Sequence, residues 1–433
     1  MVRIARTTVR AVALISLLGA CTATTAPSSV PSSNPPATTP GPTSTARPAS
    51  PVPSPTDSSP MPTEAPTPTT APRATPAPTA NADPSAWSDP VRIAGGSCSD
   101  RPAVTIDDRG RHHIAAWCDD KIRYVMYSPG AIDQQVDTFS PPRDRLDVGP
   151  QLARDGEDTL MAFSRLAVTE GGCGDDGLVD VGVYVRTRSD ATGAWSTPIR
   201  LSEPDETLQS FRAVDGTLHA TVAGPDGHFY VARSGDRTTR VRIPGADATS
   251  LRIGDDRRPR VAYTTGEAIR YARIDGDEVV STEIDTTDGS IALDPALVLA
   301  PGDVPTVMWT QDLEAGSGGC ASPDSPYDDG TYLATRRAGI WDVARVSTSV
   351  GGTSLTLDPR SGLWHAVITD STTSGNLRYL TGRSVDDRLD GPIPGTADAG
   401  GATIRINPAD GSLVVVAVDG DEGIDVLTRP GRP

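Results

Sequence analysis

A short strand centred on tyrosine recurs through the C-terminal part of this 433-residue chain, and it constrains the fold more than any other feature. Six of the nine tyrosines occupy it, and a seventh copy has valine in that place. Successive copies lie 41 to 61 residues apart. Self-similarity at such a period is typical of a repeat architecture in which each unit stacks on its neighbours. The recurring residues are Tyr124, Tyr184, Tyr230, Tyr271, Tyr332, Tyr379 and Val426.

Two further apolar strands, joined by a turn rich in Asp and Gly, precede each tyrosine strand. The clearest turns are at residues 108–110 and 358–362. Apolar runs bounded by such turns predict β-hairpins, and no stretch shows helical periodicity. A fourth strand with a Trp-x-x-Pro pattern follows several units. Four strands per unit predict an all-β chain folded as a seven-bladed β-propeller, with six or eight blades left open as alternatives.

The fourth strand also predicts how the ring closes. The sequence segment at residues 87–94, which precedes the first unit, closely resembles the segment at residues 195–202. The last unit, in contrast, ends after its third strand, near Thr428. We therefore expect residues 87–94 to pair antiparallel with residues 424–428 and to complete the last blade, because closure removes exposed strand edges.

The phrases "DDRGRHHIAAW", "SGLWHAVI" and "AIRYARI" resemble the repeat of sialidase-like (BNR-type) propellers, over essentially all of residues 87–429. This resemblance implies the propeller fold and, for the activity, a glycan-acting exo-glycosidase. The activity motifs depart from that pattern. The nearest Asp-box, at residues 189–195, is one residue short between Gly and Trp, and the Arg-Ile-Pro triplet at residues 242–244 falls mid-chain instead of near the start. No catalytic residue is therefore assigned.

The N-terminus has the features of an export signal, with three arginines before an apolar segment too short to span a bilayer as a helix. The tetrapeptide LGAC at its end resembles the lipobox of bacterial lipoproteins, which implies lipidation of Cys21. The alternative is ordinary signal cleavage with Cys21 as a free thiol. The predicted organisation is a signal peptide at residues 1–20, a tether at residues 21–84 and the propeller at residues 85–433.

The predicted tether consists almost entirely of Pro, Thr, Ser and Ala. Such a composition has too little apolar surface to offset the entropy of ordering, so we expect residues 21–84 to be a disordered linker. We expect lipid at Cys21 to anchor the protein to the outer face of the cell membrane. The propeller would then be extracellular or in the cell wall.

The formal net charge of −17 restricts the partners, and Lys121 is the only lysine. We expect no nucleic-acid partner, because phosphate binding requires a basic surface. An acidic surface suits solubility and cationic ligands. We expect a monomer.

Three histidines, His113, His219 and His365, each stand three residues after the turn glycine of their hairpin. Histidine is a common metal ligand, so the three are a candidate ligand set. Because they occupy the same place in three different repeats, we interpret them as structural positions of the repeat. The recurring tyrosines are likewise interpreted as packing residues between blades.

Four cysteines remain once Cys21 is lipidated, and an exported protein can form disulfides. Cys98 and Cys118 flank one hairpin as near cross-strand neighbours, so we predict that they pair. The remaining two cysteines, Cys173 and Cys320, would then form a second disulfide.

The two remaining cysteines lie in insertions between the second and third strands of two units. Both insertions contain Gly-Gly-Cys followed by Asp-Asp-Gly, and loops on a rigid scaffold usually carry binding. A disulfide between them would gather four carboxylates into an acidic lid for a cation such as Ca²⁺ or for a basic ligand. The alternative is that each Asp-Asp-Gly only turns the chain into its third strand. The carboxylates are those of Asp175, Asp176, Asp328 and Asp329.

We interpret the chain as a cell-surface lipoprotein that displays a non-catalytic propeller for binding or interaction, with a glycan or protein of the cell envelope as its ligand. One alternative is a sialidase-like exo-glycosidase. Another is a structural or solute-binding component of the envelope. No cofactor is expected apart from Ca²⁺ at the lid.

Overall fold

The computed structural model describes most of the C-terminal part of the chain, and its regular structure is all β. Among these residues, no helix is long and apolar enough to cross a membrane. The described ranges are 80–81, 86–130, 135–169, 177–266, 268–286, 291–312, 329–370, 376–384, 386–397, 399–419 and 423–431.

Seven blades of four antiparallel strands follow one another along the described part of the chain, and the sheet of blade 6 has a short fifth strand at its edge. This arrangement confirms the predicted propeller fold and its blade number. We call the strands of each blade A to D in sheet order. The A strands of neighbouring blades contact one another and form the inner ring. Blades 1 to 3 comprise β3 (Cys98–Ile106), β4 (His112–Cys118), β5 (Lys121–Tyr127), β6 (Gln135–Phe139); β7 (Arg145–Asp155), β8 (Asp158–Thr169), β9 (Gly177–Arg188), β10 (Ile199–Arg200); β11 (Thr207–Val214), β12 (Thr217–Gly224), β13 (Gly227–Ser234) and β14 (Arg237–Ile243).

The remaining blades repeat the same order. Blade 7 has only three strands of its own in sequence order, and a fourth comes from the N-terminal side. Blades 4 to 7 comprise β15 (Ala248–Ile253), β16 (Pro259–Thr265), β17 (Ala268–Asp275), β18 (Glu278–Thr286); β19 (Ile291–Ala300), β20 (Val304–Asp312), β21 (Gly330–Arg337), β22 (Ile340–Ser347); β23 (Thr353–Leu357), β24 (Trp364–Asp370), β25 (Asn376–Gly382), β26 (Arg388–Pro392); β27 (Ala399–Ile406), β28 (Leu413–Asp419) and β29 (Gly423–Arg429).

The first strand of the propeller closes the last blade, as the repeated phrase predicts. Strand β2 (Val91–Ala94) pairs antiparallel with β29, with Val91 opposite Val426. The Ser88 amide also donates to the Thr428 carbonyl at 2.8 Å. The buried Trp87 ring packs edge-on against Tyr379, with 5.3 Å between ring centroids. A two-residue strand, β1 (Ala80–Asn81), adds in parallel to the outer edge of blade 6.

The hydrophobic core is divided into seven clusters, one at each interface between successive blades. The apolar side chains of the central strands alternate between the two faces of each blade, so every blade contributes to two clusters. The recurring tyrosines belong to this packing, as predicted. Tyr124, Tyr230, Tyr271, Tyr332 and Tyr379 are all buried.

The antiparallel strand order assigns the connections to two faces of the ring. The A–B and C–D turns lie on one face, which we call the A–B face, and the B–C and D–A connections lie on the other, the B–C face. On the A–B face the turns of neighbouring blades are joined by hydrogen bonds. The Gly216 amide donates to Asp155 Oδ2 at 2.7 Å, and the Asp255 amide donates to Asp303 Oδ1 at 2.7 Å.

The predicted Cys98–Cys118 disulfide is present and joins β3 to β4 at the B–C face. Both half-cystines are buried, and their residues stand directly opposite each other in the ladder. The bridge closes a loop with a sequence separation of 20 residues, so it restricts the unfolded chain.

Removing this disulfide is expected to lower the free energy of unfolding by about 3 kcal/mol, the loop-closure value for a loop of this length. The variant Cys98→Ala/Cys118→Ala, unfolded in urea beside the parent chain, measures the loss. The variant Cys173→Ser/Cys320→Ser in reducing buffer is the control, because reduction then opens only the Cys98–Cys118 loop and removes neither of its side chains. A urea midpoint that neither treatment moves would show that the bridge contributes nothing to stability.

Candidate functional site

The inner ring places one residue from each A strand at a corresponding position on the wall of the central channel. These seven residues line one cavity of about 410 Å³ towards the A–B face, a volume within the range of ligand-binding pockets. Three of the seven are arginines, two are threonines and two are apolar. In blade order they are Thr105, Ala153, Arg212, Arg252, Val298, Thr356 and Arg405.

Hydrogen bonds between neighbouring A strands fix the spacing of these positions. The Leu251 amide donates to Ser210 Oγ at 3.1 Å, and the Leu297 amide donates to Ser250 Oγ at 3.1 Å. Ser354 Oγ accepts in the same way from the next A strand. Each serine stands two positions before a channel residue, and side chains two apart share one face of a strand. The serines therefore hold the channel residues at a fixed distance around the ring.

Each channel arginine is oriented by main-chain carbonyls. Arg252 Nη1 donates to the carbonyl of Leu251 at 2.9 Å. Arg405 Nε donates to the Val104 carbonyl of blade 1 at 3.0 Å. Arg212 Nη1 donates to the carbonyl of its own preceding residue. A guanidinium has five N–H donors, so these carbonyl contacts engage only part of the donor set of each arginine.

The three arginines are half-buried, and no carboxylate in the described part of the chain forms an ion pair with any of them. Burial lowers the pKa of Arg212 to about 9, and the like charge of Arg405 adds to the shift. Burial lowers the pKa of Arg405 to about 10, with repulsion from Arg101. Both groups remain charged at neutral pH, so the channel holds positive charge that an anion would stabilise.

Two carboxylates and a fourth arginine lie at the mouth of the cavity, and all three already have partners. Asp303 accepts from Arg260 Nη2 at 2.8 Å and from the Asp255 amide. Asp255 Oδ2 accepts from the Gly302 amide at 3.3 Å. Arg154 Nη1 lies 3.4 Å from Asp190. These groups join the A–B turns and leave the charge of the inner arginines uncompensated.

The predicted interpretation of the histidines agrees with the structure. Nδ1 of His113, His219 and His365 lies 2.6, 2.7 and 2.7 Å from the tyrosine hydroxyl of its own blade. The three rings sit in blades 1, 3 and 6, so the fold does not bring them together. Each pair joins strand B to strand C at the interface between blades.

The Asp-box-like segment at residues 189–195 also has a structural place. Asp190 accepts from Arg111 Nη2 at 2.7 Å and lies 3.3 Å from Arg188 Nη1. Trp195 packs edge-on against Tyr124, with 4.9 Å between ring centroids. The segment therefore joins blade 1 to blade 2.

Most of the predicted lid cannot be placed. Cys21, Cys173, Cys320, Asp175, Asp176 and Asp328 lie outside the described residues, so lipidation, the second disulfide and the lid stay predictions. Asp329 is described, and its carbonyl accepts from Arg345 Nη2 directly before β21 begins at Gly330. The described residues contain no group of three or more His, Cys, Asp or Glu side chains that could hold a metal ion. The described strands on either side of the two insertions, β8 and β9 and β20 and β21, have these ends on the B–C face, at the opposite end of the channel from the arginine cavity.

Sequence reasoning missed the arginine cavity, although the repeat carried a signal for it. The A strands read Ser-Phe-Arg at 210–212, Ser-Leu-Arg at 250–252 and Thr-Ile-Arg at 403–405. A basic residue at one register position in three repeats indicates a shared surface of the ring, because equivalent positions face the same axis.

The sequence matches no protein-family model and no curated protein sequence. Solved structures match it through the fold. An ulvan lyase, described as a polysaccharide lyase of a new family and bound to a glucuronic acid–sulfated rhamnose ligand, superposes with a TM-score of 0.54 at 12% identity, over 78% of this chain and 95% of its own. A Trypanosoma rangeli sialidase in complex with sialic acid matches with a TM-score of 0.43 at 11% identity, over 77% of this chain and 54% of its own. The seven blades of the structure confirm the predicted resemblance at the level of the fold.

Proposed function

We propose that this protein is a surface-anchored, non-catalytic β-propeller that binds an anionic ligand, such as an acidic glycan of the cell envelope, in its central channel. The observation that carries the proposal is the set of Arg212, Arg252 and Arg405, which converge on one cavity without carboxylate partners in the described part of the chain. Hydrogen bonds between a charged donor and an anion are about twice as strong as neutral ones.

The sign of the local charge supports a specific site. The chain as a whole carries −17, so a general attraction for anions is absent and an anion binds only where positive charge is concentrated. The channel walls keep the arginines half-buried, and low surrounding dielectric strengthens their attraction for a ligand that enters. The acidic outer surface would at the same time discourage nonspecific binding of polyanions.

A hydrolase of sialidase type is the second candidate, and the described cavity favours binding over that chemistry. Glycoside hydrolysis needs a pair of free carboxylates, or a tyrosine activated by one. Asp255 and Asp303 at the mouth are engaged in turn hydrogen bonds and an ion pair. No tyrosine is among the residues that line the cavity.

The location of the protein is part of the proposal. Lipidation of Cys21 and an extended tether would hold the propeller beyond the membrane, where glycans and envelope proteins are within reach. The ulvan lyase, which shares the fold, is a protein whose structure holds an acidic, sulfated saccharide. A propeller of this kind can accommodate such a chain.

Binding to a panel of oligosaccharides tests the proposal, with acidic members that carry carboxylate, sulfate or phosphate groups beside neutral ones of equal length. We expect the full chain to bind acidic members only, more weakly as salt is raised. The variant Arg212→Gln/Arg252→Gln/Arg405→Gln should lose at least about 100-fold in affinity, since each charge-assisted hydrogen bond contributes about 1.5–3 kcal/mol.

The matched control replaces three exposed arginines outside the channel, Arg143→Gln/Arg237→Gln/Arg242→Gln, which removes the same charge and should leave binding unchanged. Equal loss in both variants would mean that net charge and not the channel binds the ligand. Release of new reducing ends by the full chain, abolished by Asp255→Asn or Asp303→Asn, would instead establish the exo-glycosidase.

A further inference from the structure

We propose that Arg101 and Asp294 form a bar across the central channel, which makes the arginine cavity a blind pocket open only at the A–B face. The ligand then enters as the free end of an acidic chain and is not threaded through the ring. The inference rests on the proposed function and specifies how that ligand is recognised. It follows from one ion pair, from the strand irregularities that place it and from the extent of the cavity.

The ion pair joins two blades that are not neighbours. Arg101 lies in β3 of blade 1 and Asp294 in β19 of blade 5, the largest separation around the ring that seven blades allow. Arg101 Nη2 nevertheless lies 3.7 Å from Asp294 Oδ2, and the two side chains are 37% and 57% exposed. Because the A strands form the inner ring, a contact between blades this far apart crosses the channel. The bar therefore divides the opening into two narrower parts.

Irregularities in both A strands account for the position of the bar. The pairing of β3 with β4 shifts register within residues 99–103, and the pairing of β19 with β20 shifts within residues 293–296. Arg101 and Asp294 lie within these shifts, and residues at such bulges have their side chains re-aimed. Asp294 has a φ of 48°, a left-handed conformation that Asp adopts more readily than most residues.

A threonine of the adjacent blade holds each irregular segment in place. Thr353 Oγ1 of blade 6 donates to the Asp294 carbonyl at 3.1 Å, and Thr403 Oγ1 of blade 7 donates to the Pro102 carbonyl at 2.6 Å. Both threonines are buried. Gly352, directly before β23, leaves room for the arginine of the bar, since a Cβ there would lie 3.2 Å from its Nη2. The neighbouring blades therefore fix the two segments that carry the bar.

The cavity lies on the A–B side of this bar. The A strands run from the B–C face to the A–B face. The lining of the cavity begins at Val104 in β3 and at Val298 in β19, each further along its strand than the residue that contributes to the bar. The arginine cavity therefore has its mouth at the A–B face and its floor at the bar.

A blind pocket restricts the ligand to a terminal group. An internal segment of a chain continues in both directions and needs two exits. A chain end needs one opening, so its anionic group can reach the channel arginines while the rest of the chain leaves through the A–B mouth. The protein would therefore recognise the termini of an acidic glycan, and each cleavage of such a chain would create a new binding site for it.

Calorimetric titration of the full chain with oligogalacturonates, heparin-derived oligosaccharides and linear polyphosphates of increasing length tests the inference. Each chain is coupled to a small globular protein at either end or at both ends. We expect a chain with a free end to bind at least about ten-fold more tightly than the same chain blocked at both ends, because the blocked chain loses charge-assisted hydrogen bonds in the pocket. The affinity should also stop rising with chain length once the pocket is filled.

Two variants connect this result to the bar. Arg101→Ala removes the side chain that spans the channel, so the affinity should go on rising with chain length while the shortest chains bind nearly as before. Arg270→Ala is the matched control, because it removes the same charge from a similarly exposed ion pair on blade 4 and should leave the length dependence unchanged. Both variants should fold, since exposed ion pairs contribute little to stability.

Three outcomes would overturn the inference while acidic-chain binding still stood. They are chains that bind equally well with both ends blocked, an affinity of the parent protein that keeps rising with chain length, and an Arg101→Ala variant that behaves as the control does. Failure of every free-ended chain and of every acidic oligosaccharide in the panel would overturn the proposed function itself.

Discussion

A chain that begins at Gly96 is expected to unfold at a temperature more than about 5 °C below that of the full chain. The shortened chain lacks β2 and therefore leaves β29 with an unpaired edge. It also lacks Trp87 and Ile93, which are 7% and 5% exposed, and loss of a buried Trp or Ile side chain costs about 2–5 kcal/mol. Thermal melting followed by near-ultraviolet circular dichroism measures the shift.

A chain that begins at Ser85 is the matched control, because it lacks the tether and β1 but retains β2. We expect it to melt with the full chain. The milder variant Trp87→Ala should fall between the two, since it empties the packing site against Tyr379 and keeps the strand pairing. If the chain that begins at Gly96 melted with the control, the ring would not depend on its N-terminal strand.

Lowering the pH from 7 towards 4 is expected to destabilise the propeller steeply. Burial lowers the pKa of His112, His113 and His219 to about 4 in the folded protein, against 6.5 in the unfolded chain. Between pH 6.5 and pH 4 the unfolded state therefore binds protons that the folded state excludes. As the pH decreases across this window, the free energy of unfolding decreases by about 1.4 kcal/mol per pH unit for each histidine. Urea unfolding at pH 7, 6 and 5 measures the slope.

Two variants separate titration from hydrogen bonding. Neither ring nitrogen of His112 has a hydrogen-bond partner in the structure, so His112→Leu should reduce the slope by about 1.4 kcal/mol per pH unit without loss of stability at pH 7. His219→Leu should reduce the slope equally, but it leaves the Tyr230 hydroxyl without its partner and should cost about 1–3 kcal/mol at every pH. A slope that neither variant changed would assign the acid sensitivity to other groups.

The carboxylates with lowered pKa titrate outside this window. Asp107 and Asp410 accept hydrogen bonds that lower the pKa of each carboxyl below the ordinary value of 3.8. Their contribution to stability is present above about pH 4 and is lost only as the pH falls further. Burial raises the pKa of the Asp180 and Asp247 carboxyls, and groups with raised pKa stabilise the folded state as the pH falls. The loss expected between pH 6.5 and pH 4 therefore comes from the histidines and not from these carboxylates.

The fold could be predicted from the sequence because strands that pair are close in the chain and the same unit is repeated seven times. A strand and its hairpin partner are close in the chain, and the tyrosine position marks the same strand in each unit. Ring closure was predictable for a related reason. The segment at residues 87–94 has the sequence pattern of a fourth strand, and the last unit lacks a fourth strand of its own. The Cys98–Cys118 pair is likewise a cross-strand neighbour within one hairpin. Register within a hairpin follows from alternation of apolar side chains, which the sequence displays directly.

The arginine cavity is different, because it depends on distances that only the closed ring creates. Arg212 and Arg405 lie four repeats apart in the chain and line the same cavity in the fold. The composition predicted the opposite kind of ligand, since a net charge of −17 indicates an acidic surface that suits cations. Electrostatic potential at a site is set by the charges within about one Debye length, whatever the total charge of the chain. The sequence by itself determined the blades, their number and their closure, whereas the tertiary structure alone decided which charges meet at the axis.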